Sequence, residues 1–445
     1  MFKRYLISDL EKWANEPNRK PLILRGARQV GKTTLVQYFA KNFDRFISLN
    51  LEKQEHKRIF ESDYSFEQLL NAIFFLFNQR KDNKKTLIFI DEIQNSPQAV
   101  ASLRYFYEES PEIHVIAAGS LLETLINRTI SFPVGRVEYL AVRPCSFREF
   151  LVATNESAAV DALSLYPPPP FIHDKLSDLF HIYTLIGGMP EIISNYAQNK
   201  DLVKLNRIYQ SILTSYKDDV EKYATSLAMV HYIRHILKTG FGYCGQRIRF
   251  EHFGESEYKS REMGEAFRML EKTFLLELVY PTTSNTLPLI SDFKKSPRLH
   301  WFDTGLVNFA ARIQTEVFMN NDITSTWKGL IAEHIAGQEL LAMETDVLAT
   351  RTFWVRESKN SNAEIDYVIP FNSLLIPVEI KNLSGTSLKS LHLFMEKAPH
   401  QTAVRIWAKP FSIDHITLAS GKKFKLINIP FYLISAIYDI IAKEI

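Results

Sequence analysis

Three groups of residues have types and spacings suited to chemistry. The first is Gly26-Ala27-Arg28-Gln29-Val30-Gly31-Lys32-Thr33-Thr34. Glycines at these positions let the backbone wrap a phosphate, so that successive N–H groups point inward. A helix beginning at the loop's end adds its partial positive charge. Lys32 is placed to reach the β- and γ-phosphates, and the Thr33 hydroxyl to hold Mg²⁺. The expected ligand is ATP with Mg²⁺. The second group is Asp91-Glu92, at the end of Thr86-Leu87-Ile88-Phe89-Ile90. Asp91 is expected to hold the Mg²⁺, directly or through water. Glu92 is the candidate that polarises the attacking water. The plainer reading is that an Asp-Glu pair caps the next helix. The third group, Asp366 with Glu379 and Lys381, lies far along the chain.

These residues need elements to position them. Pro21-Leu22-Ile23-Leu24-Arg25 reads as a buried strand before the loop, and Thr34 to Ala40 has apolar residues at helical spacing. Further strand-like runs at Phe46–Leu51, Thr86–Ile90, His114–Ala118 and Val137–Val142 alternate with helical patterns. That alternation predicts a parallel sheet covered on both faces, with ligands at the C-terminal strand edge. Arg128 and Arg136 follow the fourth run. Either could serve as an arginine finger at the γ-phosphate of a second copy, or be solvated surface.

Beyond residue 155 the texture changes. Pro167-Pro168-Pro169-Pro170 reads as a stiff exposed connector. Helical patterns follow, broken at Gly187-Gly188-Met189-Pro190. The segments Val203–Tyr216, Leu227–Thr239 and Lys259–Glu271, with a strand Leu275–Tyr280, read as a winged helix, a fold that can place a helix in the DNA major groove. Its candidate helix mixes Lys259, Arg261 and Arg268 with Glu262, Glu265 and Glu271, a balance that favours a structural or protein-contacting role over a phosphate-facing one.

The last third reads as a separate α/β unit. A helix from about Ser325 to Leu341 carries Glu333, and strands are expected at Phe353–Glu357, Ala363–Pro370, Leu374–Lys381 and Ala403–Ala408. Period-2 geometry puts Glu379 and Lys381 on one strand face. Asp366 and Glu379 on neighbouring strands, with Lys381 beside them, form the D…E-x-K arrangement of metal-dependent nucleases. Two carboxylates suit Mg²⁺ or Mn²⁺, which would activate water, with Lys381 steadying charge. The competing reading is a strand-edge salt bridge. The segment Phe431–Ile441 reads as a terminal amphipathic helix.

Composition agrees with an ordinary globular protein. The 445 residues exceed what one core supports, and a net charge of +3 neither demands nor excludes a nucleic-acid partner. Two cysteines, Cys145 and Cys244, leave no disulfide framework. No stretch has the length and apolarity of a membrane span, and the N-terminus lacks a signal-peptide pattern. The expectation is a soluble, cytoplasmic protein without a membrane partner.

With these motifs in hand, the chain resembles a prokaryotic family of AAA-type P-loop ATPases with a C-terminal domain of unknown function related to PD-(D/E)xK nucleases. The resemblance runs through Gly26–Thr33, Ile90-Asp91-Glu92-Ile93-Gln94, Ala118-Gly119-Ser120, Gly135-Arg136, Ser146–Phe150, Gly187–Pro190, Phe302–Leu306, Gly329–Glu333, Glu364–Tyr367 and Pro377–Lys381, in order. It implies ATP and Mg²⁺ binding, a central winged helix and a nuclease-like end. It also implies that Ser120 senses the γ-phosphate, where a helix cap is the alternative, and that Glu333 adds a third carboxylate to Asp366 and Glu379.

The fold expected is α/β and multidomain: a P-loop parallel-sheet ATPase over 1–155, a helical connector over 156–204, a winged helix over 205–288 and a restriction-endonuclease-like α/β domain over 289–445. The function expected is an Mg²⁺-dependent ATPase whose nucleotide state controls the nuclease-like domain, with DNA or RNA and self-association as further partners. Two rivals stand beside it: an interaction switch with a silent C-terminal scaffold, and a winged-helix DNA-binding regulator.

Overall fold

The computed structural model describes residues 2–119, 133–224, 226–315, 330–356, 363–381 and 388–445. Its first sheet contains β1 (Leu22–Arg25), β2 (Arg45–Asn50), β3 (Thr86–Asp91), β4 (His114–Ala118) and β5 (Glu138–Ala141). The order is β2-β3-β4-β1-β5, with all neighbours parallel. β4 is buried along its whole length and β3 at all but its last residue. Alternation divides these apolar runs between two cores. Leu22, Leu24, Leu87, Phe89, Ile116 and Ala118 face one. Ile23, Ile47, Ile88, Ile90, Val115 and Ala117 face the other. Burial on both faces explains why the strands read as continuous apolar runs.

Helices and short strands build the middle of the chain. The helices His173–Ile186, Pro190–Asn199, Leu202–Asp218, Leu227–Thr239 and Ser260–Lys272 are followed by β6 (Leu276–Val279). Next come β7 (Pro281–Thr282) and β8 (Arg298–Trp301), and β8 pairs with β6 antiparallel. β8 lies beyond residue 288 yet completes the β6 pair, and the helix Leu202–Asp218 runs unbroken across position 204/205.

The C-terminal part holds β9 (Phe353–Val355), β10 (Glu364–Ile365), β11 (Tyr367–Phe371), β12 (Leu374–Lys381), β13 (Thr402–Trp407), β14 (Ser412–Thr417) and β15 (Lys423–Pro430). The main sheet runs β11-β12-β13-β15-β14, parallel from β12 to β15 and antiparallel at both edges. The single strand expected over Ala363–Pro370 is two. β10 pairs with β9 and β11 with β12, so the chain changes sheets at Asp366. β14 has only two apolar residues, Ile413 and Ile416, three positions apart on a half-buried edge, a pattern too weakly apolar to register in the sequence. Phe431–Ile441 is not one amphipathic helix. Phe431–Ala436 is a 3₁₀ turn whose first four residues are buried, and an α-helix spans only Ile437–Glu444.

The helix Leu330–Ala342 joins the parts. Residues 325–329 of the expected helix lie outside the described residues. Nine residues of the helix Leu330–Ala342 are buried, from every face, as in a helix surrounded by protein. Ile331, Ala332, Ile335 and Ala336 share one hydrophobic core with Leu24, Tyr183, Phe267 and Ile427.

Candidate functional site

The phosphate loop links β1 to the helix Lys32–Phe39. A Cβ at Gly26 would come within 2.1 Å of the Val142 carbonyl oxygen, and Gly31 caps the helix at φ +92°. Only glycine meets both demands. Lys32 is buried, its ammonium donating to the carbonyls of Gly26 at 2.9 Å and Ala27 at 2.8 Å. Burial lowers its pKa to about 8, although Glu92 and Asp91 pull the other way. Thr33 Oγ1 donates to Asp91 Oδ2 at 2.7 Å, tying the loop to the end of β3. Burial raises the Asp91 pKa, opposed by the Thr33 bond. A hydroxyl and a half-buried carboxylate side by side are the donors a hard cation such as Mg²⁺ takes, so these residues fit it.

Glu92 sits at φ +53°, a left-handed conformation that turns its side chain off the strand end. Gln94 Nε2 donates to its carboxylate, while Gln94 Oε1 is buried without a partner among the described residues. Glu92, Asp91, Lys32, Thr33, Thr34 and Gln29 line a common cavity of about 520 Å³.

Sequence reasoning missed the far wall of this cavity. Arg4 donates to the Val30 carbonyl at 3.1 Å and to Glu149 at 2.7 Å, bracing the loop from behind. Arg28 pairs with Asp219, and the Tyr216 hydroxyl donates to the Arg28 carbonyl at 2.9 Å. Pro190 packs within 3.4 Å of where a Gly31 Cβ would sit, and Glu191 and Ser194 complete the lining. The only sequence signal for this wall was the Gly187–Pro190 break. Arg136 lies elsewhere. It precedes β5, at the sheet edge opposite its own loop, and pairs with Glu108 at 2.7 Å. Ser120 and Arg128 lie outside the described residues.

The C-terminal group is brought together with an addition. Lys381 pairs with Glu379 at 2.6 Å, as period-2 geometry requires. Asp366 Oδ2 accepts the Ile380 N–H at 2.7 Å. Glu333 reaches the same region from the helix Leu330–Ala342. Among them stands Arg298 of β8, 3.5 Å from Glu333, 3.7 Å from Asp366 and 2.9 Å from Glu364. Burial raises the Glu333 and Glu379 pKa values, and the nearby Asp366 charge raises them further. Asp366 is also raised by burial, with Arg298 opposing. Among the described residues no group of three or more His, Cys, Asp or Glu is arranged to hold a metal ion. The donors expected from the sequence are adjacent, but they surround a guanidinium, so as arranged they do not fit a metal.

Loop, strand-end carboxylates and five-stranded parallel sheet define a P-loop nucleotide-binding domain. Residues 18–151 match the family described as AAA domain. Residues 177–317 and 328–430 match two families each described as a domain of unknown function, DUF8612 and DUF4143. No curated protein matches the chain. Among solved structures, the Walker-type ATPase PABY2304 of Pyrococcus abyssi is similar at 14% identity and TM-score 0.46, over 70% of this chain and 96% of that one. The Orc1 protein of Aeropyrum pernix, solved in complex with DNA, gives 12% and 0.28 over 71% and 92%. The RuvB Holliday junction branch migration motor of Thermotoga maritima gives 13% and 0.29 over 62% and 90%. All three TM-scores fall below 0.5. No helix among the described residues is long and apolar enough to cross a membrane.

Proposed function

We propose that the chain is an Mg²⁺-dependent ATPase whose nucleotide state controls a nuclease-like C-terminal domain. The observation that carries the first half is the Thr33–Asp91 hydrogen bond, which joins phosphate loop and strand-end carboxylate at one cavity also lined by Lys32 and Glu92. Bound at Thr33 and Asp91, Mg²⁺ would neutralise charge on the β- and γ-phosphates. Lys32 exchanges its two carbonyl partners for phosphate oxygens, a stronger, charge-assisted contact. Glu92 leaves Gln94 and polarises the attacking water. Arg28 and Pro190 link the loop to the middle of the chain, which is how the nucleotide state would move it. The test is nucleotide binding and turnover in two variants. Lys32→Ala should lose ATP binding. Glu92→Gln should bind ATP and stop turning it over; wild-type turnover in Glu92→Gln would refute the assignment.

In the C-terminal domain, Asp366 and Glu379 are read as a carboxylate pair for a hard cation, with Lys381 beside them. The three helices Leu202–Asp218, Leu227–Thr239 and Ser260–Lys272 and the β6–β8 pair support a central winged helix. Arg261 is engaged with Glu265 at 3.3 Å within this helix and Glu271 accepts the Leu278 N–H of β6, so part of the helix's charge is taken up inside the chain. That favours protein contact over DNA contact. A second reading, an interaction switch with a silent C-terminal scaffold, is favoured by Arg298 standing among the carboxylates. Arg136, on the far edge of the sheet, could assist hydrolysis only in a neighbouring copy.

A further inference from the structure

A second cavity, of about 230 Å³, lies behind the phosphate loop, where the three parts of the chain meet. Ala27 and Val30 line it, whereas Arg28, Gln29 and Gly31 line the nucleotide cavity, so the loop is a wall common to both. The other walls include Arg143 after β5, Phe274 and Leu276 from the middle of the chain, and Leu341 and Val347 at and after the end of the helix Leu330–Ala342. Phe274 follows the helix Ser260–Lys272 at φ +64°, a left-handed position where glycine is the usual residue. A side chain held there is strained, and such strain gathers at ligand clamps. The Phe274 ring lies 5.2 Å from the Arg25 guanidinium and 5.8 Å from that of Arg143. Arg143 supplies an independent observation. It donates through Nε to the Glu344 carbonyl and through Nη2 to the Asp346 carbonyl, both at 3.2 Å, and among the described residues no carboxylate pairs with it. The two acids on the cavity wall are engaged elsewhere, Glu277 with Arg351 at 2.7 Å and Glu271 with the Leu278 N–H at 2.8 Å. Arg143 thus stands as Lys32 does, a cation bonded to two carbonyls with room beside it for an anion.

We propose that this cavity binds a small aromatic carboxylate, its anion on Arg143 and its ring against Phe274, as an effector of the phosphate loop. Nη1 of Arg143, which makes no bond among the described residues, donates to the carboxylate in a charge-assisted contact. Size sets the class: about 150 Å³ takes a benzene ring, and the remainder takes one acidic substituent. Leu276, Leu341 and Val347 offer the ring an apolar surround, and Phe274 a face for offset stacking. Positive charge outnumbers negative on the walls, with Arg25, Arg143, Lys272 and Arg351 against Glu271 and Glu277, so an acid is favoured over an amine. The common wall provides the coupling. The Ala27 carbonyl accepts the Lys32 ammonium at 2.8 Å, so an occupant that shifts Ala27 alters the partner Lys32 must leave for phosphate. The effector role rests on the reading of the loop as an ATP site, and binding in the cavity stands apart from it.

The test is ligand-observed NMR on the full chain without nucleotide, with benzoate, salicylate and anthranilate as probes and benzamide as the uncharged isostere. At least one of the acids should bind, roughly tenfold or more tighter than benzamide. Arg143→Met should remove that preference. Phe274→Gly, which suits the left-handed backbone, should weaken binding by about tenfold or more while the chain still melts cooperatively. Once ATP binding is shown, saturating ATP should shift the acid's affinity by about fivefold or more. An unchanged affinity would overturn the effector role alone. No binding by any of the acids at roughly 10 mM would overturn the site. Benzamide binding as tightly as the acids would overturn the anion's place on Arg143. Binding lost in Lys32→Ala but kept in Arg143→Met would put the acids at the phosphate loop and overturn the site too. Should Arg143→Met not fold, the comparison with benzamide and Phe274→Gly decide in its place.

Discussion

At the phosphate loop a buried ammonium donates to two carbonyl oxygens, whereas at the far end of the chain buried carboxylates crowd a guanidinium from another segment. The two sites are opposite answers to one problem. A charge taken out of water must be matched or have its pKa displaced. Lys32 is shifted toward neutrality by burial because the anion it is built for, a nucleotide phosphate, comes from outside. The C-terminal acids are matched from inside, by Arg298 and Lys381, and one oxygen of Glu379 is left over. The difference teaches that a site open to ligand and a site held shut can carry equally plain motifs.

The largest effect that could break this comparison is at the loop. Lys32→Ala should abolish ATP-dependent thermal stabilisation, while Glu92→Gln should keep it and lose on the order of 10²–10⁴-fold in turnover. Equal stabilisation by ATP in Lys32→Ala would mean that the ammonium is not the phosphate's partner.

Next in size is the asymmetry at the far end. Arg298→Ala leaves three carboxylates without their shared cation and should cost about 3–5 kcal/mol in denaturant unfolding. Glu379→Gln replaces a buried, half-satisfied acid whose pKa burial raises to about 8, and should be neutral or mildly stabilising. Equal costs for the two would show that Arg298 is one ordinary ion-pair partner among several.

Titration sharpens the contrast, because the two sites move with pH in opposite senses. The folded-state pKa of Lys32 lies below its ordinary value, so between about 8 and 10.5 the unfolded chain holds a proton that the folded one has released. Its contribution to stability therefore rises with pH across that window. ATP needs the charged form, so affinity should weaken above about pH 8, approaching tenfold per unit in calorimetry. Glu333, Glu379 and Asp366 titrate above their ordinary range when folded. There the folded chain holds the protons, so stability should fall as pH rises from the ordinary carboxylate range toward neutrality. Asp303, raised to about 6, and Glu339, raised to about 7, act in the same direction. Glu379→Gln should therefore flatten the decline in melting temperature, by a few degrees, without removing it. A decline of unchanged slope in Glu379→Gln would exclude that acid as a source.

The smallest effect is at Arg136, whose pairing with Glu108 is solvent-exposed. Arg136→Ala should leave the melting temperature unchanged. Any loss of turnover should appear only at concentrations where the chain self-associates, and be restored by mixing with Lys32→Ala protein. A loss independent of concentration would place its action within one chain.

The nucleotide-binding half was legible because its chemistry is local. From Gly26 to Thr34 one turn of chain supplies the cradle, the lysine and the hydroxyl, and an apolar strand delivers Asp91-Glu92 to the same sheet edge. Buried parallel strands write themselves as continuous apolar runs, so the five strands could be read in order. Asp366, Glu379 and Lys381 were legible for the same reason, since period-2 spacing places the last two together on one strand. What surrounds these residues was not. Arg4 meets Glu149 across 145 positions, Arg28 meets Asp219 across 191, and Arg298 meets Asp366 across 68. No local pattern announces those pairings, because an arginine reads alike whether solvated or buried against acids. Their roles were decided only when β8, the helix Leu330–Ala342 and the Gly187–Pro190 turn packed into one core, where each buried charge had to find its opposite.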